Sequence, residues 1–136
     1  MTASARPTPT PNSDSLPFWE GCAAGELRLQ RCVDCGEFQF YPRMFCISCG
    51  GSDLEWKVSS GRGRLVSFTV IQRPPSASFA DDAPYGIGLV ELEEGVQMMA
   101  GLIDCDLDAL ACDLSVRLAD MKVEDDLYLP RFTPEV

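Results

Sequence analysis

The chain contains no histidine. That removes the commonest general base near neutral pH, the Ser–His and Cys–His nucleophile pairs, and every His-containing metal site. Positive charge is also scarce: 11 Lys and Arg stand against 21 Asp and Glu, a formal net charge of −10. A surface so negative repels polyanions and anionic membranes unless its few cations gather on one face. No apolar run approaches the ~20 residues of a spanning helix, which removes a helical membrane role. The first twelve residues, rich in Pro, Thr and Ala, lack the apolar stretch and small-residue cleavage pattern of a secretory signal, so the expected location is cytoplasmic.

What is present fits an ordinary globular protein. The chain has 136 residues, 46% hydrophobic and 24% charged. That leaves room for one compact unit and a small metal-held appendage. Seven cysteines, an odd number in a chain expected in a reducing compartment, argue against a disulfide framework. Four of them form two C-x2-C pairs, Cys32/Cys35 and Cys46/Cys49, separated by ten residues; Cys22, Cys105 and Cys112 stand alone.

Two such pairs can wrap two tight knuckles around one cation and supply a tetrahedral tetrathiolate site. Each pair is followed by glycine, Gly36 and Gly50, which accepts the positive φ of the knuckle. The same thiolates also bind iron in a rubredoxin-like site, but nothing else in the chain suggests electron transfer, so zinc is favoured. Four sulfur ligands leave no coordination position open to water or substrate, which makes the ion structural. Metal binding of this kind is worth on the order of 10–16 kcal/mol of folding free energy, more than the core of so small a module can supply.

Residues 1–13 have no large apolar side chain except Met1 and read as a flexible tail. A short helix follows, capped by Asp14 or Ser15, with Pro17 in its first turn and its end at Gly25; it carries Leu16, Phe18, Trp19 and Cys22. Alternation at 27–31, 38–41 and 54–58 predicts strands around the knuckles, closing a module at 14–59. Residues 60–136 then read as five strands: 64–71, 85–93, 96–103, 114–123 and 127–132. A Gly95 turn lies between the second and third, and a long loop at 72–84 follows the first. The fold class is mainly β: an N-terminal helix, a rubredoxin-like zinc ribbon and a five-stranded Greek-key barrel of the OB type.

Ribbon and OB barrel together suggest single-stranded nucleic acid, yet the charge distribution argues otherwise. Residues 1–59 carry five basic and seven acidic side chains, residues 60–136 six and fourteen, so the barrel is the more acidic half. Backbone binding needs several cations along a groove. The local basic residues, Arg62 and Arg64 around Gly61 and Gly63, with Arg73, either sit solvated or form a small anionic site for the phosphates of a nucleotide-containing cofactor. Asp81–Asp82 and Glu93–Glu94 read as solvated turn residues. Cys105, between two aspartates, should have a raised pKa rather than an activated thiol.

These residues resemble a family of zinc-ribbon plus OB-fold proteins associated with acyl-CoA metabolism, catalogued as domain of unknown function 35. The resemblance covers nearly everything after the tail and rests on Phe18-Trp19-Glu20-Gly21, Gln30-Arg31-Cys32, the two knuckles and Tyr41-Pro42-Arg43 in the first half. In the second it rests on Gly61-Arg62-Gly63, Ser67-Phe68-Thr69-Val70, Leu89-Val90-Glu91-Leu92 and Leu129-Pro130-Arg131-Phe132. It implies a non-catalytic partner of thiolase-fold enzymes acting on CoA thioesters, among them thiolases, acyltransferases and aldolases that cleave steroid side chains. The partner enzyme would carry the chemistry in a hetero-oligomer, with acyl-CoA contacted in the complex. Alternatives are a free-standing CoA-thioester binder and a nucleic-acid binder. Aromatic anchors for a partner would be Phe38, Phe40, Tyr41 and Phe79. One departure is Ala111-Cys112-Asp113, where relatives often carry glycine before the fourth barrel strand.

Overall fold

A computed structural model describes residues 12–73, 84–124 and 127–135. The tail, Phe79 and the Asp81–Asp82 pair therefore fall largely or wholly outside the described residues.

Helix α1 spans Leu16–Ala23 with Pro17 in its first turn. Ser15 occupies the cap position, but its side chain does not cap the helix. Instead Asn12 Oδ1 accepts the N–H groups of Asp14 and Ser15, and the Ser15 hydroxyl accepts the Asn12 N–H. Phe18 and Cys22 are buried from this helix.

Strands β1 (Arg28–Cys32), β2 (Phe38–Gln39) and β3 (Leu54–Val58) form a three-stranded antiparallel sheet in the order β2-β1-β3. Next come β4 (Arg62–Ile71), β5 (Tyr85–Leu92), β6 (Gln97–Leu102), β7 (Ser115–Leu118), β8 (Lys122–Glu124), β9 (Leu127–Tyr128) and β10 (Arg131–Pro134). Five of these close a barrel in the order β10-β6-β5-β4-β7. Pairing is antiparallel except between β10 and β6.

The five-strand count is as expected from the sequence, but its composition differs. The segment 114–123 is not one strand: β7 ends at Leu118, and β8 leaves to pair with β9 in a separate hairpin. Asp120 Oδ1 accepts the Lys122 N–H and turns the chain there. The segment 127–132 is divided by Pro130, which has no N–H to give a ladder, so β10 begins only at Arg131.

The core is continuous. Leu65, Val90, Val116 and Phe132 are fully buried in the barrel, and they belong to one cluster with Phe18, Cys22, Leu27 and Leu29 of the helix and ribbon. Along β5 burial alternates strictly, with Gly86, Gly88, Val90 and Leu92 inward. A close-packed shared core of this kind fixes the ribbon against the barrel.

Candidate metal centre and the arginine pair

Cys32 ends β1 and Cys46 opens the second knuckle, and the two turns have matching backbone bonds. Gly36 N–H donates to Cys32 O and Gly50 N–H to Cys46 O, each at 2.9 Å. Both glycines adopt positive φ, 77° for Gly36 and 78° for Gly50. A knuckle requires that conformation, and glycine takes it without steric cost. The result gathers the sulfurs of Cys32, Cys35, Cys46 and Cys49 within 4.8 Å of one another. Cys32–Cys49 and Cys35–Cys46 are each 3.6 Å apart. A regular tetrahedron of sulfurs with zinc–sulfur bonds of ~2.3 Å has edges of ~3.8 Å, so the spacing fits one ion.

Backbone dipoles converge on the sulfurs. Ser48 N–H points to Cys46 Sγ at 3.3 Å and Gly51 N–H to Cys49 Sγ at 3.4 Å. The Cys49 N–H draws the Cys46 thiol down to about 6 against the effect of burial, helped by Ser48 and Cys35. The Glu37 N–H pulls on Cys35 too, but burial and the neighbouring thiols push that group up to about 12. Four thiolates this close repel strongly unless a cation neutralises them. The four cysteines could therefore hold a structural zinc ion with no open position.

A buried glutamine pair, not foreseen from the sequence, positions the second knuckle. Gln39 Nε2 donates to Gln30 Oε1 at 2.8 Å and to Phe45 O at 3.2 Å, while Gln39 Oε1 accepts the Ile47 N–H at 3.0 Å. Gln30 holds both the N–H and the carbonyl of Arg43. Alternation alone puts Gln30 on the polar face of β1, yet it is only 5% exposed. The available signal was a second amide, Gln39, at a reachable position on the neighbouring strand.

The three arginines do not form one site. Arg62 and Arg64 line a depression of about 550 Å³ with Glu91, Glu93 and Glu135. Arg64 is bound by Glu91 and Asp113, and Arg62 faces Glu135 at 3.9 Å. Arg73 lies beyond the far end of β4. Arg73 is absent from the lining of that depression. Carboxylates thus bond the Arg64 guanidinium directly, while Arg62, 64% exposed, has only the longer contact to Glu135.

Of the lone cysteines, Cys22 is buried and its thiol is pushed up to about 11 by desolvation. Cys105 is also raised, by burial first and then by Asp104 and Asp106. Cys112 is exposed. Glu94 is more than a solvated turn residue: its carboxylate accepts from the Ser59 hydroxyl at 2.8 Å and the Ser60 N–H at 2.9 Å, tying the ribbon–barrel junction to the β5–β6 turn. Of the residues expected as anchors, Phe40 and Tyr41 pack edge-on at 5.3 Å, Phe40 also meets Phe18 at 5.3 Å, and Trp19 Nε1 donates to the Tyr41 hydroxyl. Phe38 is half-buried against the core.

Comparison with known proteins now adds identity. Residues 19–55 match the ChsH2 rubredoxin-like zinc ribbon domain and residues 56–120 the ChsH2 C-terminal OB-fold domain. A DUF35 domain-containing scaffold protein of Methanothermobacter thermautotrophicus is 36% identical over 97 residues, 71% of this chain and 72% of the relative. The chain belongs to the DUF35 family. Among solved structures, a chain of the "Ltp2-ChsH2(DUF35) aldolase" superposes with a TM-score of 0.86 at 30% identity, covering 94% of this chain and 99% of that one. A DUF35 protein of unknown function from Sulfolobus solfataricus, at 13% identity and a TM-score of 0.66, shares the fold. Other DUF35-related proteins are longer. A probable enoyl-CoA hydratase alpha subunit of Thermomonospora curvata is 31% identical over 131 residues, which are 96% of this chain but 40% of that protein. The DUF35 chain also spans 67% of the benzoylsuccinyl-CoA thiolase subunit BbsA of Thauera aromatica, at 32% identity and 74% of its own length. Its relatives are thus scaffold proteins or subunits of enzymes acting on CoA thioesters. No helix among the described residues is long and apolar enough to cross a membrane.

Proposed function

We propose that this protein is a non-catalytic accessory subunit that binds and stabilises a thiolase-fold enzyme acting on acyl-CoA thioesters, such as an aldolase of steroid side-chain degradation, a thiolase or an acyltransferase. Zinc held by Cys32, Cys35, Cys46 and Cys49 keeps the ribbon folded and takes no part in turnover. The observation that carries the reading is the near-complete overlap, at 30% identity, with a chain of an aldolase assembly. The side chains agree with it. The thiol cluster is closed, Arg64 is bonded by carboxylates, and the sequence has no histidine. A chain of this kind serves chemistry by holding another chain in its active shape, which makes stability and assembly its measurable outputs.

The test is co-expression with thiolase-fold acyl-CoA enzymes of the same organism, followed by native mass measurement and assay of carbon–carbon bond cleavage or thiolysis. The expected result is a hetero-oligomer whose enzyme subunit is poorly soluble or weakly active alone. An enzyme that is soluble and fully active without this chain would end the reading.

A further inference from the structure

We infer that the partner enzyme sits on the outward face of the β4–β5–β6 sheet and on the aromatic wall that α1 raises beside it. This rests on the accessory-subunit reading and deepens it by naming the docking surface. Register defines the face. Ser67 pairs with Leu89 and Leu89 with Met99, while Thr69 pairs with Ile87 and Ile87 with Gly101. Directly opposed residues point to the same side of a sheet. The alternate set, Gly88, Val90, Met98 and Ala100 among them, is buried in the barrel. Tyr85, Ile87, Leu89 and Met99 therefore face outward.

The outward side of a barrel strand is where polar residues belong. Here three successive outward positions of β5 are apolar, and Met99 beside them is 70% exposed. Along β5 and β6 the face turns polar at the next pair, Glu91 opposite Gln97, while Ser67 and Thr69 of β4 form its polar margin. On its other flank stand Trp19 and Tyr41, and the two walls enclose a groove of about 940 Å³ that reaches Leu129 and Pro130. An apolar floor with aromatic anchors and a polar rim is the anatomy of a protein–protein hot spot.

Charge chooses among occupants. Arg131, the cation among the groove's described lining residues, already donates Nε to Asp120 O and Nη2 to Lys122 O, each at 2.8 Å, so the several phosphates of a coenzyme would meet a single cation with two donors committed. A second copy would bring another −10 against the first and set Glu91 and Asp104 near like charges. The occupant is instead a different folded subunit, presenting apolar side chains ringed by lysine and arginine. The exposed Ile47, between the cysteines of the second knuckle and absent from the groove's lining, serves as the contrast.

Met99→Glu and Leu89→Glu, each checked for wild-type melting temperature and zinc content, should weaken the complex with a co-expressed thiolase-fold partner by ~100-fold, the scale of a central hot-spot residue. Ile47→Glu should leave it unchanged. Side-chain oxidation footprinting of the wild-type complex should show Tyr85, Leu89 and Met99 newly shielded, a readout that survives any folding defect in the variants. Wild-type affinity in both barrel variants, shielding confined to the knuckles, or a homodimer that Met99→Glu dissolves would each overturn the inference. A wild-type chain that binds no thiolase-fold protein overturns the accessory reading itself, which is a separate result.

Discussion

The ribbon and the barrel share one core, yet they are held by different means. In the ribbon, the second knuckle is placed by four sulfurs and a buried amide pair, while Met44, Phe45 and Ile47 around it remain exposed. In the barrel, fully buried aliphatic and aromatic side chains fill the interior of a closed sheet. A module with little apolar surface to bury relies on bonds of specific geometry, and a module that closes on itself relies on burial. The two should therefore fail separately.

The largest effect is expected from Cys35→Ser or strong chelation, which should unfold the second knuckle and much of the ribbon while barrel amides stay protected. Hydrogen exchange with metal analysis checks this, and an unaltered ribbon after metal loss would remove the contrast. Next, Phe132, fully buried at the barrel centre, should leave a cavity when shortened. Phe132→Ala is expected to cost ~3–5 kcal/mol on that account. Denaturant melts should show that loss with zinc still bound. Smaller again is Gln39→Leu, which deprives the Ile47 N–H and the Phe45 carbonyl of their partner. Leaving such groups unpaired should cost ~2 kcal/mol. It should also speed zinc release to a colorimetric chelator, whereas Phe132→Ala should not.

The smallest effect concerns Asp113, whose φ is 67°. That is the left-handed region, which glycine takes without strain. Asp113→Gly should match or exceed wild-type stability by up to ~1 kcal/mol, since the strain is relieved and an exposed ion pair contributes little. The pair in question is the one to Arg64, where the Asp113 side chain is 77% exposed. Asp113→Ala should lose ~1 kcal/mol, having neither the ion pair nor the freedom of glycine. Thermal melts of the two variants side by side decide it.

Much of this architecture was legible from residue order. Cysteine spacing with its trailing glycines, alternation through 54–58, and the Gly95 turn between the strands at 85–93 and 96–103 reflect local rules that act within a few residues. What stayed hidden depended on distant partners. Gln30 reads as a surface residue until Gln39 is brought beside it, and Glu94 reads as a turn residue until Ser59 and Ser60 reach its carboxylate. Arg62, Arg64 and Arg73 read as one cluster because basic residues are few. The extended length of β4 separates the third from the first two, and Glu91, Asp113 and Glu135 come to Arg62 and Arg64 from three other segments. The splitting of 114–123 and 127–132 follows from one missing N–H at Pro130 and one side-chain turn at Asp120.

The most direct measurement is the native mass of this chain co-expressed with thiolase-fold acyl-CoA enzymes of the same organism, with metal quantified in the same sample. A hetero-oligomer carrying one zinc per copy of this chain is the predicted result. A folded, metal-free chain that travels alone would contradict the account.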